Sequence, residues 1–394
     1  MWGRTCIPRT VYQVRYPCKK HCRCPQAQHF LVFCWLMVAL LRAPGKGTLK
    51  GLRPYLPPQL PYWTTVRMVR SGPWDAQAVL TDLAATTLRS LPPPTDGVVS
   101  RIGDSTLKAK RGRKHPVGHC TRHGEHEPYM LGFARVLLIA RWDRFRVPVA
   151  LGLIDPKRRG HQNILLRQRL KDLVRPLWVR QVVVVADAGL AANETLRLLT
   201  AHKSTSGCAM PRTRKLTNGT YLRALVQHLP KSCSYRRASH TPDGRRRDSW
   251  VFTRRATLPK LGEVTIVRSK KRRNDGPKKV KIIVTNLTAA PAGMILSIYA
   301  WRWGVEVTRK ALKSGLHWGQ LQVTKEAERV TRSVTLSVVA YLLLVRLYGH
   351  DKTLPQEGSL FKLKERFTED VAQEHMRRSE LRWQRKLKQL KAGA

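Results

Sequence analysis

The chain has 394 residues, 42% of them hydrophobic, and its 74 Lys and Arg face 25 Asp and Glu, a formal net charge of +49. The basic residues are spread through sequence rich in Trp, Leu and Val, which excludes a disordered basic tail. A chain of this charge repels itself unless a polyanion neutralises it. Nucleic acid is therefore the leading partner, and an anionic membrane surface is the alternative.

Neither the cysteines nor the apolar runs indicate secretion. Eight cysteines are scattered, at positions 6, 18, 22, 24, 34, 120, 208 and 233, without the pattern of a disulfide framework. The longest clean apolar run, at 30–41, is too short to span a bilayer and begins too late for a good secretion signal. We therefore expect a soluble intracellular protein with reduced thiols.

The first part of the chain is predicted to form a small helical region. Apolar helical segments are expected at 30–41 and 75–88, with connections rich in Pro and Gly between them. Thr64 and Thr65 are placed to cap a short basic helix in this stretch. Such an arrangement is typical of a small DNA-binding unit.

Strand and helix patterns alternate in the next part of the chain. A short strand is expected to end at Asp104, and 134–155 predicts two strands joined by a charged turn. The run "QVVVVADAG" predicts a fully buried strand that ends at Asp187, and helical spacing follows it. The alternation predicts an α/β core.

Beyond this core the pattern becomes β-rich and very basic before helices return. Asp275 and Gly276 form a good hairpin signal between two predicted strands. Helices are expected at 294–314 and 333–347 and in the charged C-terminal segment. The predicted segments are an N-terminal helical DNA-binding region (1–95), two parts of an α/β core (96–203 and 288–350), a basic β-rich insertion (204–287) and a charged helical tail (351–394).

Acidic residues are scarce, so their positions are informative. Asp104 and Asp187 each follow a predicted strand, and open α/β sheets bind ligands outside the carboxyl ends of their strands. A carboxylate there can point at a substrate. A turn-forming Asp would give the same pattern, so each residue taken alone leaves both interpretations open.

A third acid lies on the helix expected at 294–314. Four residues share one face of this helix, namely Tyr299, Arg302, Glu306 and Lys313. The simplest interpretation of Glu306 is a surface ion pair with Arg302 or Lys310. The alternative is that Glu306 joins Asp104 and Asp187 in a site of three carboxylates. Three hard oxygen donors suit Mg²⁺, and two such ions can clamp the oxygens of a phosphodiester displacement.

The spacing of these residues resembles a known family. Tyr, two residues, Arg, three residues, Glu, six residues and Lys is the Y-R-E-K signature of DDE transposases of bacterial insertion sequences, the insertion element four-type. The stretches "IGDSTLKAKRGRK" and "VVVVADAG" are similar to those that carry the family's first two acids. The resemblance covers about residues 97–350. Leu190 and Ser105 depart from it, since many members have an aromatic and an Asp or Thr there.

The resemblance implies a ribonuclease-H-like core interrupted by a β-rich insertion. It implies that Asp104, Asp187 and Glu306 are catalytic and bind two Mg²⁺ ions, for which Mn²⁺ can substitute. The enzyme would cleave the ends of an insertion sequence and join them to target DNA by hydrolysis and transesterification. It would be prokaryotic, cytoplasmic and nucleoid-associated, bind double-stranded terminal inverted repeats and target DNA as a dimer, and bind no membrane.

Further residues are candidate DNA contacts. Tyr299, Arg302 and Lys313 are expected to position the DNA end, as the resemblance implies. Trp250 is the candidate to hold a flipped base, and a core Trp of the β-rich segment is the alternative. Four consecutive basic residues predict a phosphate-backbone contact or a solvated hairpin tip, namely Lys270, Lys271, Arg272 and Arg273.

Two alternatives to a transposase remain open. One is an inactive DNA-binding relic whose acids are structural, and the other is a Mg²⁺-dependent nuclease without strand transfer. Zinc is not expected. His119 and His123 are spaced for zinc on a helix, but the prolines and glycines of 115–126 favour a basic loop near DNA. The Cys-rich stretch 18–24 lacks a matching downstream pair.

Overall fold

The chain forms two compact units, Met1–Leu91 with Lys310–Ala394 and Pro92–Arg309. The computed structural model describes residues 27–45, 47–109, 119–123, 127–173, 175–224, 235–240, 244, 246–276, 279–320, 326–351 and 360–392. The Cys-rich stretch 18–24, and with it His115 and His126, lies outside the described residues.

The unit Pro92–Arg309 is built on one mixed sheet. Its described strands are β1 (Val98–Ala109), β2 (His119–His123), β3 (Glu127–Trp142), β4 (Phe145–Leu153), β5 (Gln181–Ala186), β6 (Thr205–Ala209), β7 (Tyr235–His240), β8 (Arg246–Leu258), β9 (Gly262–Lys270) and β10 (Lys281–Thr285). Their order is β2-β3-β1-β5-β6-β10-β9-β8-β7, and β4 also pairs with β3. The prediction of a mixed α/β fold is confirmed.

Parallel and antiparallel pairs divide this sheet. β1 and β6 run parallel to β5, whereas β3 is antiparallel to both β1 and β4. From β6 through β10, β9 and β8 to β7, every neighbouring pair is antiparallel. β5 is an interior strand in which five of six residues are buried, as its run of valines predicts.

The strand that was expected to end at Asp104 continues to Ala109. The expectation was wrong because the second half of β1 pairs with a distant partner, β3, which local sequence does not reveal. Asp104 therefore lies in mid-strand, opposite Leu137. Parallel pairing with β5 nevertheless stops at Gly103 opposite Ala186. Asp104 and Asp187 are thus each the first residue beyond the parallel pairing.

The helices of this unit are α5 (His161–Lys171), α6 (Asn193–Ala201), α7 (Ala292–Ala300) and α8 (Trp303–Gly315), whose last six residues belong to the other unit. A single helix at 294–314 was predicted, and two are present. Between them the backbone bonds reach back three residues, from Trp301 N–H to the Ile298 carbonyl and from Arg302 N–H to the Tyr299 carbonyl. This tighter winding separates α7 from α8.

The other unit is helical. Its described helices are α1 (Ala27–Arg42), α2 (Leu49–Leu52), α3 (Tyr62–Ser71), α4 (Ala76–Ser90), α9 (Ala327–Tyr348) and α10 (Leu360–Ala392), with a 3₁₀ turn at Arg53–Tyr55. Asp75 caps α4 by accepting from the N–H groups of Gln77 and Ala78. The expectation that Thr64 or Thr65 caps α3 was wrong, because the helix begins earlier, after Pro61.

α9 is the core helix of this unit. Within the described part of the chain it is the helix long and apolar enough to cross a membrane, but 78% of its most apolar window is buried inside the protein. Such burial is typical of a helix at the centre of a folded protein.

A buried lysine joins the C-terminal ends of two helices. Lys364 of α10 donates to the carbonyls of Ala43, just after α1, and Gly315, the last residue of α8, at 2.8 and 2.7 Å. His317 Nε2 lies 3.1 Å from the same Ala43 oxygen. Burial lowers the pKa of Lys364 to about 8. A cation at these carbonyls satisfies acceptors that a helix end leaves open.

Candidate active site

Three elements of the Pro92–Arg309 unit each contribute one carboxylate, and we call this set the carboxylate site. Asp104 is buried in β1, and Glu306 lies in the first turn of α8. Asp187 is exposed directly after β5, where its Oδ1 accepts from the Ala188 N–H at 2.9 Å. The parallel register of β1 and β5 places the two aspartates side by side, at the point where the parallel pairing ends.

Two arginines of the α7–α8 region link these carboxylates. Arg302 Nη1 lies 3.7 Å from Glu306 Oε1 and 4.0 Å from Asp187 Oδ2. Arg309 Nη1 lies 3.5 Å from Asp104 Oδ2, and its Nη2 donates to Glu306 Oε2. The three acids therefore form one electrostatic cluster in which each guanidinium bridges two carboxylates.

The environment of Asp104 opposes its ionisation. The pKa of Asp104 is raised from its ordinary 3.8 to about 6, first by burial and then by the nearby Glu306, while Arg309 and Arg302 act in the opposite direction. Its Oδ2 is buried without a hydrogen-bond partner. A buried carboxylate oxygen without a hydrogen bond lowers the stability of the folded state, so the site favours an additional cation or hydrogen-bond donor.

The donor chemistry of the carboxylate site fits a divalent hard cation. Mg²⁺ takes oxygen ligands, and the site offers carboxylate oxygens from three elements, one of which is buried without a hydrogen bond. As the side chains stand, no described group of three His, Cys, Asp or Glu residues is arranged to hold a metal ion. The guanidinium groups lie against the oxygens that a metal would use.

The turn that carries Asp187 is fixed by residues that sequence reasoning missed. Gln162 and Asn163, at the start of α5, both donate from their side-chain amides to the Gly189 carbonyl, at 2.8 and 3.0 Å. Leu190, which departs from the family pattern, is buried in this turn. Two adjacent amides at the start of a helix were a weak signal, because nothing in the sequence pairs them with Gly189.

Gly103 allows α5 to approach β1 next to Asp104. A Cβ added there would lie 2.9 Å from Leu166 Cδ1 and 3.6 Å from Leu190 Cδ1. Thr106, two residues beyond Asp104 and so on the same face of β1, accepts from Arg309 Nη1 at 3.2 Å. The alternation of a strand was the signal that would have found Thr106.

Tyr299 and Arg302 are brought together next to the carboxylate site. Tyr299 is buried at the end of α7, and burial raises the pKa of its phenol to about 12, while the neighbouring Arg302 acts in the opposite direction. Lys281 Nζ lies 5.9 Å from the centre of the Tyr299 ring. Lys313 lies on α8 seven residues after Glu306 and is half-buried, and its role at the DNA end stays a prediction.

The candidate DNA contacts of the β-rich segment lie at the end of β9. Trp250 on β8 is partly exposed, with the Arg273 guanidinium 5.2 Å from its ring centre. Lys270 is buried and donates to the Arg273 carbonyl, whereas Lys271, Arg272 and Arg273 are exposed. Lys270 therefore supports this loop, and its three neighbours are the ones that present charge to a partner.

The histidine-rich stretch that was expected to be a loop contains a strand. Residues His119–His123 form β2, paired with β3, with His119 opposite Gly132. β2 and β3 form a local hairpin, with His123 opposite Glu127, and the prolines and glycines nearby argued only against a helix. The side chains of this strand lie outside the described part of the structure.

Comparisons with known proteins leave the family open. No family model matches the chain, and no curated protein matches it. Among solved structures, the chain is similar to a piggyBac transposase synaptic complex with hairpin DNA, with 11% identity and a TM-score of 0.49 over 93% of this chain and 77% of that chain. A similarity of this size assigns neither a family nor a function, which must come from the site itself.

Proposed function

We propose that the protein is a DDE transposase that cleaves the ends of a mobile DNA element and joins them to target DNA with divalent metal ions. The observation that carries the proposal is the carboxylate site. Three acids, distant in sequence and scarce in the chain, are brought together by two parallel strands and a following helix, and one of their oxygens, Asp104 Oδ2, is buried without a hydrogen bond. A net charge of +49 suits a polyanionic substrate.

The strand order supports the proposed ribonuclease-H-like core. The order β4-β3-β1-β5-β6, with β1, β5 and β6 parallel and β3 antiparallel to its neighbours, is the arrangement expected of that fold. β6 extends the sheet beyond β5, although it lies within the segment proposed as the insertion. The acids come from the first strand, its parallel neighbour and a later helix, which is the order that the proposed Y-R-E-K subgroup requires.

In this proposal the acidic residues of the site bind metal and the basic residues bind phosphate. Asp104, Asp187 and Glu306 would hold the divalent ions, which supply Lewis-acid stabilisation of the attacking and leaving oxygens when bound. Arg302, anchored between Asp187 and Glu306, would bind a phosphate of the DNA end. Tyr299 remains a protonated hydrogen-bond donor at neutral pH because its pKa is about 12. Lys313 would contact the backbone further along.

The proposal extends to how DNA is assembled. The N-terminal helices and the basic loop after β9 would supply further DNA contacts, with Trp250 as the candidate for an unstacked base. Two DNA ends would be held by a dimer in the nucleoid of a prokaryotic cell. These parts rest on the subgroup resemblance and on the basic charge of the chain.

The test is cleavage and joining of DNA that carries the element's terminal inverted repeats, with Mg²⁺ or Mn²⁺. We expect Glu306→Gln to cut at least about 100-fold more slowly than the parent, because one metal ligand is lost. Glu263→Gln removes an acid from an exposed pair on β9 and is the control, expected to cut as the parent does.

Three other outcomes of this cleavage and joining assay would contradict the proposal or favour an alternative function. Cleavage by Glu306→Gln at the parent's rate would overturn the metal-site assignment. Binding without cleavage by both proteins supports the DNA-binding relic, and cleavage by the parent without joining supports the nuclease.

A further inference from the structure

Arg309 was not among the residues that the sequence assigned to the site, yet its guanidinium contacts two of the three carboxylates. Its Nη1 lies 3.5 Å from Asp104 Oδ2 and 3.2 Å from Thr106 Oγ1, and its Nη2 donates to Glu306 Oε2. Its side chain is 27% exposed, so solvent screens these contacts only in part.

The oxygens that Arg309 contacts are those that a metal would need. Asp104 Oδ2 is the buried oxygen without a hydrogen-bond partner, and Glu306 Oε2 is the oxygen of that residue not faced by Arg302. A magnesium ion requires direct approach to carboxylate lone pairs, at about 2.0–2.1 Å. A guanidinium that lies against both oxygens excludes such an approach by its volume and by repulsion of like charge.

Arg302 covers the carboxylate oxygens less closely than Arg309 does. Its contacts with Glu306 Oε1 and Asp187 Oδ2 measure 3.7 and 4.0 Å, and its neutral anchor is Tyr299 on α7 rather than a residue beside Asp104. Arg309 has such an anchor in Thr106, on the same strand face as Asp104. The hydroxyl group fixes the guanidinium in position without competing for its charge.

We propose that Arg309 is the resident counter-ion of the carboxylate site, and that a divalent cation binds only when this guanidinium leaves Asp104. The inference rests on the proposed function, since it concerns the metal site of that proposal. Arg309 thus acts as a positioning residue that sets how tightly the free protein binds metal. A guanidinium lies near each proposed ligand, most loosely at Asp187, which is also exposed.

Mn²⁺ binding to the full chain without DNA tests this role, with free Mn²⁺ measured by electron paramagnetic resonance. We expect Arg309→Gln to lower the Kd for Mn²⁺ about tenfold, within the range of coupling between two ligands of one site. Lys310→Gln removes the same charge from the exposed neighbouring position on α8. Its Kd is expected to stay within about twofold of the parent's, because an exposed charge is screened.

A second variant keeps the inference testable if Arg309→Gln does not fold. Thr106→Val removes the anchor without changing the charge and should lower the Kd in the same direction by a smaller factor. An unchanged or higher Kd in Arg309→Gln, or in Thr106→Val if that is the variant that folds, overturns the inference.

Asp104→Asn separates this failure from failure of the proposed function. Mn²⁺ binding that depends on Asp104 but not on Arg309 overturns the counter-ion alone. Mn²⁺ binding that Asp104→Asn leaves unchanged, in the parent and in Arg309→Gln, overturns the metal site and with it the proposed function.

Discussion

Asp104 combines two influences that act in opposite directions on its charge. Burial and the nearby Glu306 favour the protonated carboxyl, whereas Arg309 and Arg302 favour the carboxylate. The sum leaves the pKa of Asp104 at about 6, so the native protein holds this proton at pH values where the unfolded chain has lost it.

A pH-dependent loss of stability follows. Between pH 3.8 and about 6 the native state binds more protons at Asp104 than the unfolded state does, so the free energy of unfolding falls as the pH rises through this window. The full difference is about 3 kcal/mol. Denaturant unfolding at several pH values should show this decrease in the parent and not in Asp104→Asn. Asp172→Asn, an exposed control, should follow the parent. Equal slopes in parent and Asp104→Asn would contradict the assignment.

Contacts of the site between residues close in sequence were predictable, whereas contacts between distant residues were not. The shared face of Tyr299, Arg302 and Glu306 followed from helical spacing, even though a turn separates Tyr299 from Glu306. The bond from Arg309 to Thr106 spans 203 positions and depends on how α8 lies against β1. Local pattern carries no information on such a contact, so Arg309 was left out of the predicted site.

At the scale of elements, continuous hydrophobic runs were predictable and tight turns were not. β3, β4 and β5 followed from apolar stretches bounded by charged or turn residues. The break between α7 and α8 has no proline or glycine at Trp301 or Arg302, so the sequence read as one helix. Gly304, in the first turn of α8, packs closely: a Cβ added there would lie 3.1 Å from Arg141 Cδ. The element boundary thus follows from packing rather than from propensity.

A glycine before α2 makes a sharper prediction at this scale. A Cβ on Gly47 would lie 1.9 Å from His317 Cβ, whereas a Cβ on Gly45 would meet nothing within 4 Å. We expect Gly47→Ala to lower the free energy of unfolding by about 3 kcal/mol, since the backbone around His317 must move. Gly45→Ala is the matched control and should differ from the parent by under about 0.5 kcal/mol. Thermal or denaturant unfolding measures both, and equal stability of the two variants would refute this packing.

At the scale of the whole molecule, charge decides how the protein meets DNA. Lys271, Arg272 and Arg273 are exposed in the loop after β9, and the remaining excess of basic residues is distributed along the chain. A phosphate contact releases counterions, so each contact adds about 0.9 to the slope of log affinity against log salt concentration. The contribution of the loop to DNA binding can therefore be distinguished from that of the general charge of the chain.

The measurement is DNA affinity across a range of salt concentrations. Replacing Lys271, Arg272 and Arg273 together by Gln should reduce the slope by about 2 to 3 if the loop contacts the backbone. The control removes three exposed basic residues of α10, namely Arg377, Arg382 and Arg385, and should change the slope less. An unaltered slope in the loop variant would mean that the loop is a solvated hairpin tip.

The bond between Lys364 and Ala43 has a consequence for synthesis on the ribosome. The partners are 321 positions apart, and the helical unit is assembled from the beginning and the end of the chain. At about 5–20 residues per second, translation from one partner to the other takes roughly 15–60 s. During this interval the apolar surface of α1 remains without α10, while the sequence of the sheet unit is being synthesised. A nascent chain of this kind is a natural client for chaperones, because α10, which is synthesised late, is needed to cover α1.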